Sequence, residues 1–195
     1  MERDRESTEK RLIDTIGHMI EQNGFEKIGI NAVSAQSGVS KILIYRYFGS
    51  LDGLIMAYIS KHDFWLNFEF DIPEGGDALP IVKDMFRKYV AQLRTDAVLR
   101  RLFRWELTCS NEIIGQLREM RERAGVEMIR RVSRLAGRAE QEGAVVATLI
   151  TAATTYLAIL SDACGVFNGL DLQSDSGWDT ISKGVENLID SVFAK

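Results

Sequence analysis

The chain has 195 residues, 46% of them hydrophobic and 27% charged, a balance that fits one globular domain, or a small domain joined to a larger one, and excludes a disordered or fibrous chain. A net charge of -4 argues against a protein that is basic throughout, so any contact with nucleic acid has to be local. Cys109 and Cys164 lack CxxC spacing and give neither a disulfide framework nor a zinc site, which suits a reducing cytoplasm, and the charged start MERDRESTEK has no apolar core of the kind an export signal needs.

In chain order, Leu12, Ile13, Ile16, Met19 and Ile20 recur at helical spacing, with Ser7 or Thr8 as N-cap and Asn23-Gly24 as the stop. This predicts a first helix over about 8–23. INAVSAQSGVS starts after Gly29 and reaches Gly38, giving a short second helix, and Ser40 caps a short third one. Val33, Val39 and Ile44 stand where two short helices crossing over a tight turn share a small core. Gly38 makes that turn, and Ser34 and Ser37 are small enough for close approach, which is the pattern of a helix-turn-helix. Ser50 caps a fourth helix, predicted from Leu51 to about Asn67, with Leu54, Ile55, Tyr58 and Ile59 on one face.

DIPEGGD, 71–77, reads as the loop between two units. Beyond it, only two prolines in the chain, Pro73 and Pro80, leave long intervals for helices near 78–95, 97–108, 111–141, 144–167 and 176–194. No strand signal is found, so the predicted class is all-α. The uncharged run from Gly143 to Ser161 approaches the length of a membrane span. Four threonines interrupt it, Glu142 and Asp162 flank it, and no basic cluster or aromatic belt marks an interface, so it reads as a core or subunit-interface helix and no membrane partner is expected.

Residues 8–60 resemble the DNA-binding domain of TetR-family transcriptional regulators. The matching residues are Leu12-Ile13-Asp14 and Ile20, then Gly24-Phe25, Val33, Gly38-Val39-Ser40, Tyr45, Tyr47, Phe48 and Leu54, about a quarter of the chain. The resemblance implies a TetR-like architecture, with a helix-turn-helix head over 1–60 and a larger helical effector-binding and dimerisation domain over 61–195. It further implies a homodimeric cytoplasmic repressor that binds a palindromic double-stranded DNA operator and is released from it by a small-molecule effector, without a cofactor.

With Val39, Ile44 and Phe48 pointing inward, helical geometry turns Lys41, Ile42, Leu43, Tyr45 and Arg46 outward. Lys41 and Arg46 suit phosphates or guanine edges, the Tyr45 and Tyr47 hydroxyls suit phosphate oxygens, and Ile42 or Leu43 suits thymine methyls. The helix N-termini at Ser40 and Ser50 would aim free amides at the DNA backbone, with Lys27 as a further phosphate contact and Arg3 and Arg5 as a minor-groove arm. Three positions depart from the family pattern. Gly29 stands where a threonine often caps the second helix, Ile42 where glycine is common, and Leu51 where the fourth helix usually offers a lysine, which implies weaker binding and a shallower salt dependence. The alternative is an all-α ligand-binding or interaction protein whose head does not bind an operator.

His18 falls off the apolar stripe and reads as solvent-facing, and His62-Asp63 without a second histidine is weak evidence for a metal. No Ser-His-Asp set, phosphate loop or convergent carboxylate pair is found, so no catalytic or metal residue is assigned and an enzyme is not expected. Aromatic residues crowd the second unit. By the resemblance some line an effector pocket, and Phe64, Phe68, Phe86, Tyr89, Trp105 and Tyr156 are the candidates. The arginines from Arg118 to Arg134 read as a solvated charged face, laced by pairs such as Glu119 with Arg123. Arg104 or Glu106 would need a partner if it entered the pocket. Broad apolar faces on the last two helices call for a paired copy, which the resemblance makes a four-helix bundle between subunits.

Overall fold

A computed structural model describes residues 2–68 and 77–193. The predicted loop between the two units lies outside the described residues except for Asp77. Helix α1 runs over Glu2–Asn23 and buries Leu12, Ile13, Ile16, Met19 and Ile20. It starts earlier than predicted because its first turns carry their own side-chain support: Arg5 pairs with Glu9 at 2.7 Å, and the Thr8 hydroxyl bonds back to the Asp4 carbonyl at 2.8 Å instead of capping. After a 3-10 turn, Phe25–Lys27, come α2 (Ile30–Ser37), α3 (Lys41–Phe48) and α4 (Leu51–His62).

The turn between α2 and α3 is fixed from three sides. Gly38 adopts φ 66, a left-handed conformation that costs other residues strain. Ser34 Oγ donates to the Val39 carbonyl at 2.8 Å, and Ser37 Oγ accepts the Val39 amide at 3.1 Å. Val33, Val39 and Ile44, buried together, close the small core beneath it.

The fourth helix does not continue to Asn67. Asp63 takes an extended conformation, φ -71 and ψ 127, and its Oδ1 caps a new short helix, α5 (Phe64–Asn67), by accepting the Leu66 amide at 3.1 Å. Then follow α6 (Leu79–Thr95), α7 (Ala97–Thr108), α8 (Glu112–Ala136), α9 (Glu140–Leu160) and α10 (Asp175–Phe193). Helix α8 stops five residues before its predicted end, because Gly137 turns left-handed at φ 64 and the Arg138 amide closes onto the Ser133 carbonyl at 3.0 Å.

The prediction that strands are absent needs correction. Helix α9 ends at Leu160, and a hairpin follows in which β1 (Val166–Phe167) pairs antiparallel with β2 (Leu170–Asp171). Asn168 and Gly169 form its turn with φ 50 and 81, the paired positive angles that a two-residue hairpin loop requires. Strands of two residues carry no alternation, so only the Asn-Gly pair announced them. Trp178 Nε1 donates to the Leu172 carbonyl at 2.9 Å and ties the hairpin to α10.

One apolar cluster runs through head and body, from Leu12 to Phe193. Phe25 stacks on Trp105 at 4.6 Å, Arg101 donates to the Ile20 carbonyl at 2.7 Å at the end of α1, and Arg121 of α8 reaches Asp63. Helix α10 lies along α6 with Lys83 bonded to Asp190 at 2.5 Å and Arg87 to Glu186 at 2.8 Å. Helix α9 is long and apolar enough to cross a membrane by length and composition, and only 22% of its most apolar stretch is buried within the chain. Its core is therefore one-sided: Gly143, Ile150, Thr154 and Ala158 face inward, while Val145, Leu149 and Tyr156 stay exposed.

Candidate nucleic-acid interface and helical cavity

Helix α3 is anchored through Ile44, which is fully buried, with Leu43, Tyr47 and Phe48 half-buried around it. Lys41, Ile42, Tyr45 and Arg46 project to solvent, Ile42 at 77% exposure and Tyr45 at 52%. An apolar side chain that open has nothing of its own chain to pack on. Ser40 occupies the N-cap position of α3, yet its hydroxyl makes no capping bond, whereas Ser50 Oγ accepts the Gly53 amide at 2.9 Å at the start of α4. Lys27 is exposed on the 3-10 turn.

Tyr47 is engaged from above by Arg5, whose guanidinium lies 5.2 Å from the ring centre. Arg5 therefore belongs to a helix and is engaged by Glu9 and Tyr47; the Arg3 side chain lies outside the described residues. Gly29 begins α2 without any side-chain cap, and Leu51 is half-buried at the start of α4.

In the body, a cavity of about 860 Å³ opens between α5, α6, α7, α8 and α9. Trp65, Phe86, Phe103 and Met128 form much of its apolar wall, and Thr148 and Thr155 contribute hydroxyls from α9. This size suits a drug-sized molecule. Of the six aromatic candidates, Phe86 stands in the wall. Phe64 and Tyr89 pack behind it around Trp65, at 5.1 and 4.6 Å between ring centres, and Phe68 sits 5.2 Å from Phe64. Tyr89 is buried with its hydroxyl 2.6 Å from Thr155 Oγ1, and burial pushes its pKa up to about 12, so it is a neutral group next to the cavity. The remaining two lie elsewhere. Trp105 is stacked on Phe25 at the junction with the head, and Tyr156 faces outward on α9 against Phe167, 6.0 Å away.

At the charged end of the cavity Glu106 stands in the wall with Arg118 and Arg121 as its partners, whereas Arg104 pairs with Asp162. Arg121 is no solvated surface residue: its side chain is only 12% exposed, with Nε 2.9 Å from Asp63 Oδ2, Nη2 also on that oxygen, and Nη1 2.5 Å from Glu106 Oε2. Its guanidinium also covers the Phe103 ring at 4.6 Å. Burial works against its charge, and Asp63 and Glu106 outweigh that effect, so its pKa stands above the ordinary arginine value. Asp63, expected at most as half of a weak metal pair with His62, is completely buried and serves Arg121 and the α5 cap. His62 stacks on Tyr58 at 4.4 Å. Asp63 was visible in sequence only as an N-cap residue before Phe64; nothing along α8 distinguished Arg121 from its solvated neighbours.

Exposed polar-aromatic α3 over a three-helix head, carried by a helical body with a cavity, is the arrangement of a helix-turn-helix module joined to a larger helical domain. Residues 12–58 match the family model of the bacterial regulatory proteins of the tetR family. The crystal structure of a TetR-like transcriptional regulator from Rhodococcus sp. RHA1 shares the fold, with a TM-score of 0.60 and 16% identity over 96% of this chain and 97% of that one. No curated protein matches the chain. The head is thus similar to that of the tetR family over residues 12–58, and the whole chain shares the fold of a TetR-like regulator.

Proposed function

We propose that this chain is a cytoplasmic repressor that holds a palindromic operator as a homodimer and is released from it by a small-molecule effector. The observation that carries this reading is the side-chain display of α3: Lys41, Ile42, Tyr45 and Arg46 are exposed around buried Ile44. In the groove, Lys41 and Arg46 supply charge to phosphates or guanines and Ile42 packs on thymine methyls. Lys27, Ser40, Leu43, Tyr47 and Ser50 flank that surface.

The head over 1–60 is the DNA-binding domain, and 61–195 holds effector and partner. The exposed apolar face of α9, with Leu188 on α10, is covered by the same face of a second copy, which sets two heads one groove repeat apart. The effector occupies the cavity, and one guanidinium links that cavity to the head: what disturbs Glu106 is felt through Arg121 by Asp63 at the junction of α4 and α5. Release then follows from a coupling of ~1–3 kcal/mol between two binding events and requires no bond to be made or broken.

The test is selection from a random duplex library, followed by affinity measurement across a salt series. A palindromic sequence should emerge, and Lys41→Ala with Arg46→Ala should weaken it and flatten the slope by about two counterions. Intact protein that retains no palindrome supports instead a ligand-binding protein without an operator.

A further inference from the structure

This inference rests on the cavity being the effector site, and the wall narrows the chemistry of what it holds. Three carboxylates, Glu106, Glu119 and Glu122, and two guanidiniums, Arg118 and Arg121, stand in the wall. Neither arginine is a spare cation. Arg121 is committed to buried Asp63 and to Glu106, while Arg118 places Nε 3.3 Å from Glu106 Oε1 and Nη2 2.6 Å from the Glu106 carbonyl. Outside the wall, Arg123 bonds Glu119 at 2.5 Å. With Asp63 and Arg123 included, four carboxylates face three guanidiniums. Glu122 has no ion-pair partner among the described residues.

The apolar part complements that surplus. Trp65 and Phe86 meet edge to face at 73° with ring centres 6.2 Å apart and make an aromatic patch of the wall, and the third wall ring, Phe103, already carries the Arg121 guanidinium on its face. An anionic guest would face net negative charge with both arginines engaged. A neutral guest would leave the exposed, unpaired Glu122 carboxylate at the rim without use. A cation with an apolar body meets both demands.

We propose that the cavity binds a lipophilic organic cation, its apolar body against Trp65 and Phe86 and its charge held by Glu122, since both Glu106 oxygens are taken by Arg118 and Arg121. Calorimetric titration of the full-length protein with tetraphenylphosphonium and tetraphenylborate tests this, since the two ions share shape and size and differ in sign. The phosphonium should bind at least about tenfold more tightly than the borate, and Glu122→Gln should weaken it by about tenfold. Glu122 is exposed and holds no other residue among those described, so Glu122→Gln leaves the fold of the wall in place. Equal or tighter borate binding, no binding of either ion, or phosphonium affinity unchanged in Glu122→Gln overturns the proposal. Operator affinity is read separately: phosphonium that binds without releasing DNA supports the ligand class and sinks the effector reading, whereas release by the borate alone does the reverse.

Discussion

Asp63 performs two tasks with its two oxygens: Oδ1 caps α5 through the Leu66 amide, and Oδ2 takes Nε and Nη2 of Arg121. The tasks are separable by substitution. Asp63→Asn keeps an oxygen for the cap and discards the charge, leaving the buried guanidinium with Glu106 as its remaining carboxylate. Breaking a buried pair costs about 3–5 kcal/mol when nothing compensates, so with Glu106 still present Asp63→Asn should cost about 2–3 kcal/mol. Asp63→Ala should lose about 1 kcal/mol more with the cap. Urea unfolding measures both. An Asp63→Asn protein as stable as the parent would show that Glu106 alone satisfies Arg121.

At the scale of elements, the geometry of α3 depends on the turn that delivers it. Gly38 at φ 66 has no atom within 4 Å of where a Cβ would stand, so Gly38→Ala meets no clash and its cost is backbone strain alone, about 1 kcal/mol. Thermal unfolding checks this; a loss several times larger would mean that the turn is more crowded than its geometry indicates. Helix α9 shows the opposite balance, rich in apolar residues yet packed on one side only. Its predicted extent, 144–167, gives way to Glu140–Leu160: the chain turns at residues 161–163, and Val166 and Phe167 pair in the hairpin instead of extending the helix.

For the whole molecule, the uncovered face of α9 carries the prediction. Leu149 is 65% exposed near its centre, with Val145 one turn before it. A charge placed there would be desolvated in the proposed bundle without a partner, while a lone chain would tolerate it in water. Leu149→Glu should therefore leave the fold intact by circular dichroism and convert dimer to monomer by sedimentation, with operator affinity falling alongside. A parent protein that sediments as a monomer would remove the pairing and with it the spacing of two heads.

The head was legible in the amino-acid order because its instructions are local. A left-handed glycine, small residues beside it and apolar positions three or four apart determine the short helices 30–37 and 41–48 and turn Lys41, Tyr45 and Arg46 outward whatever else the chain does. The helical class of the body was legible for the same reason. Which faces meet was not, since helical spacing says that a side is apolar without naming its neighbour. Arg121 finds Asp63 across 58 residues and so becomes a buried cation, Trp105 leaves the cavity for Phe25, and Trp65 and Phe103 take the wall. Those outcomes depend on packing, because only the folded body brings distant helices close enough to exchange water for each other.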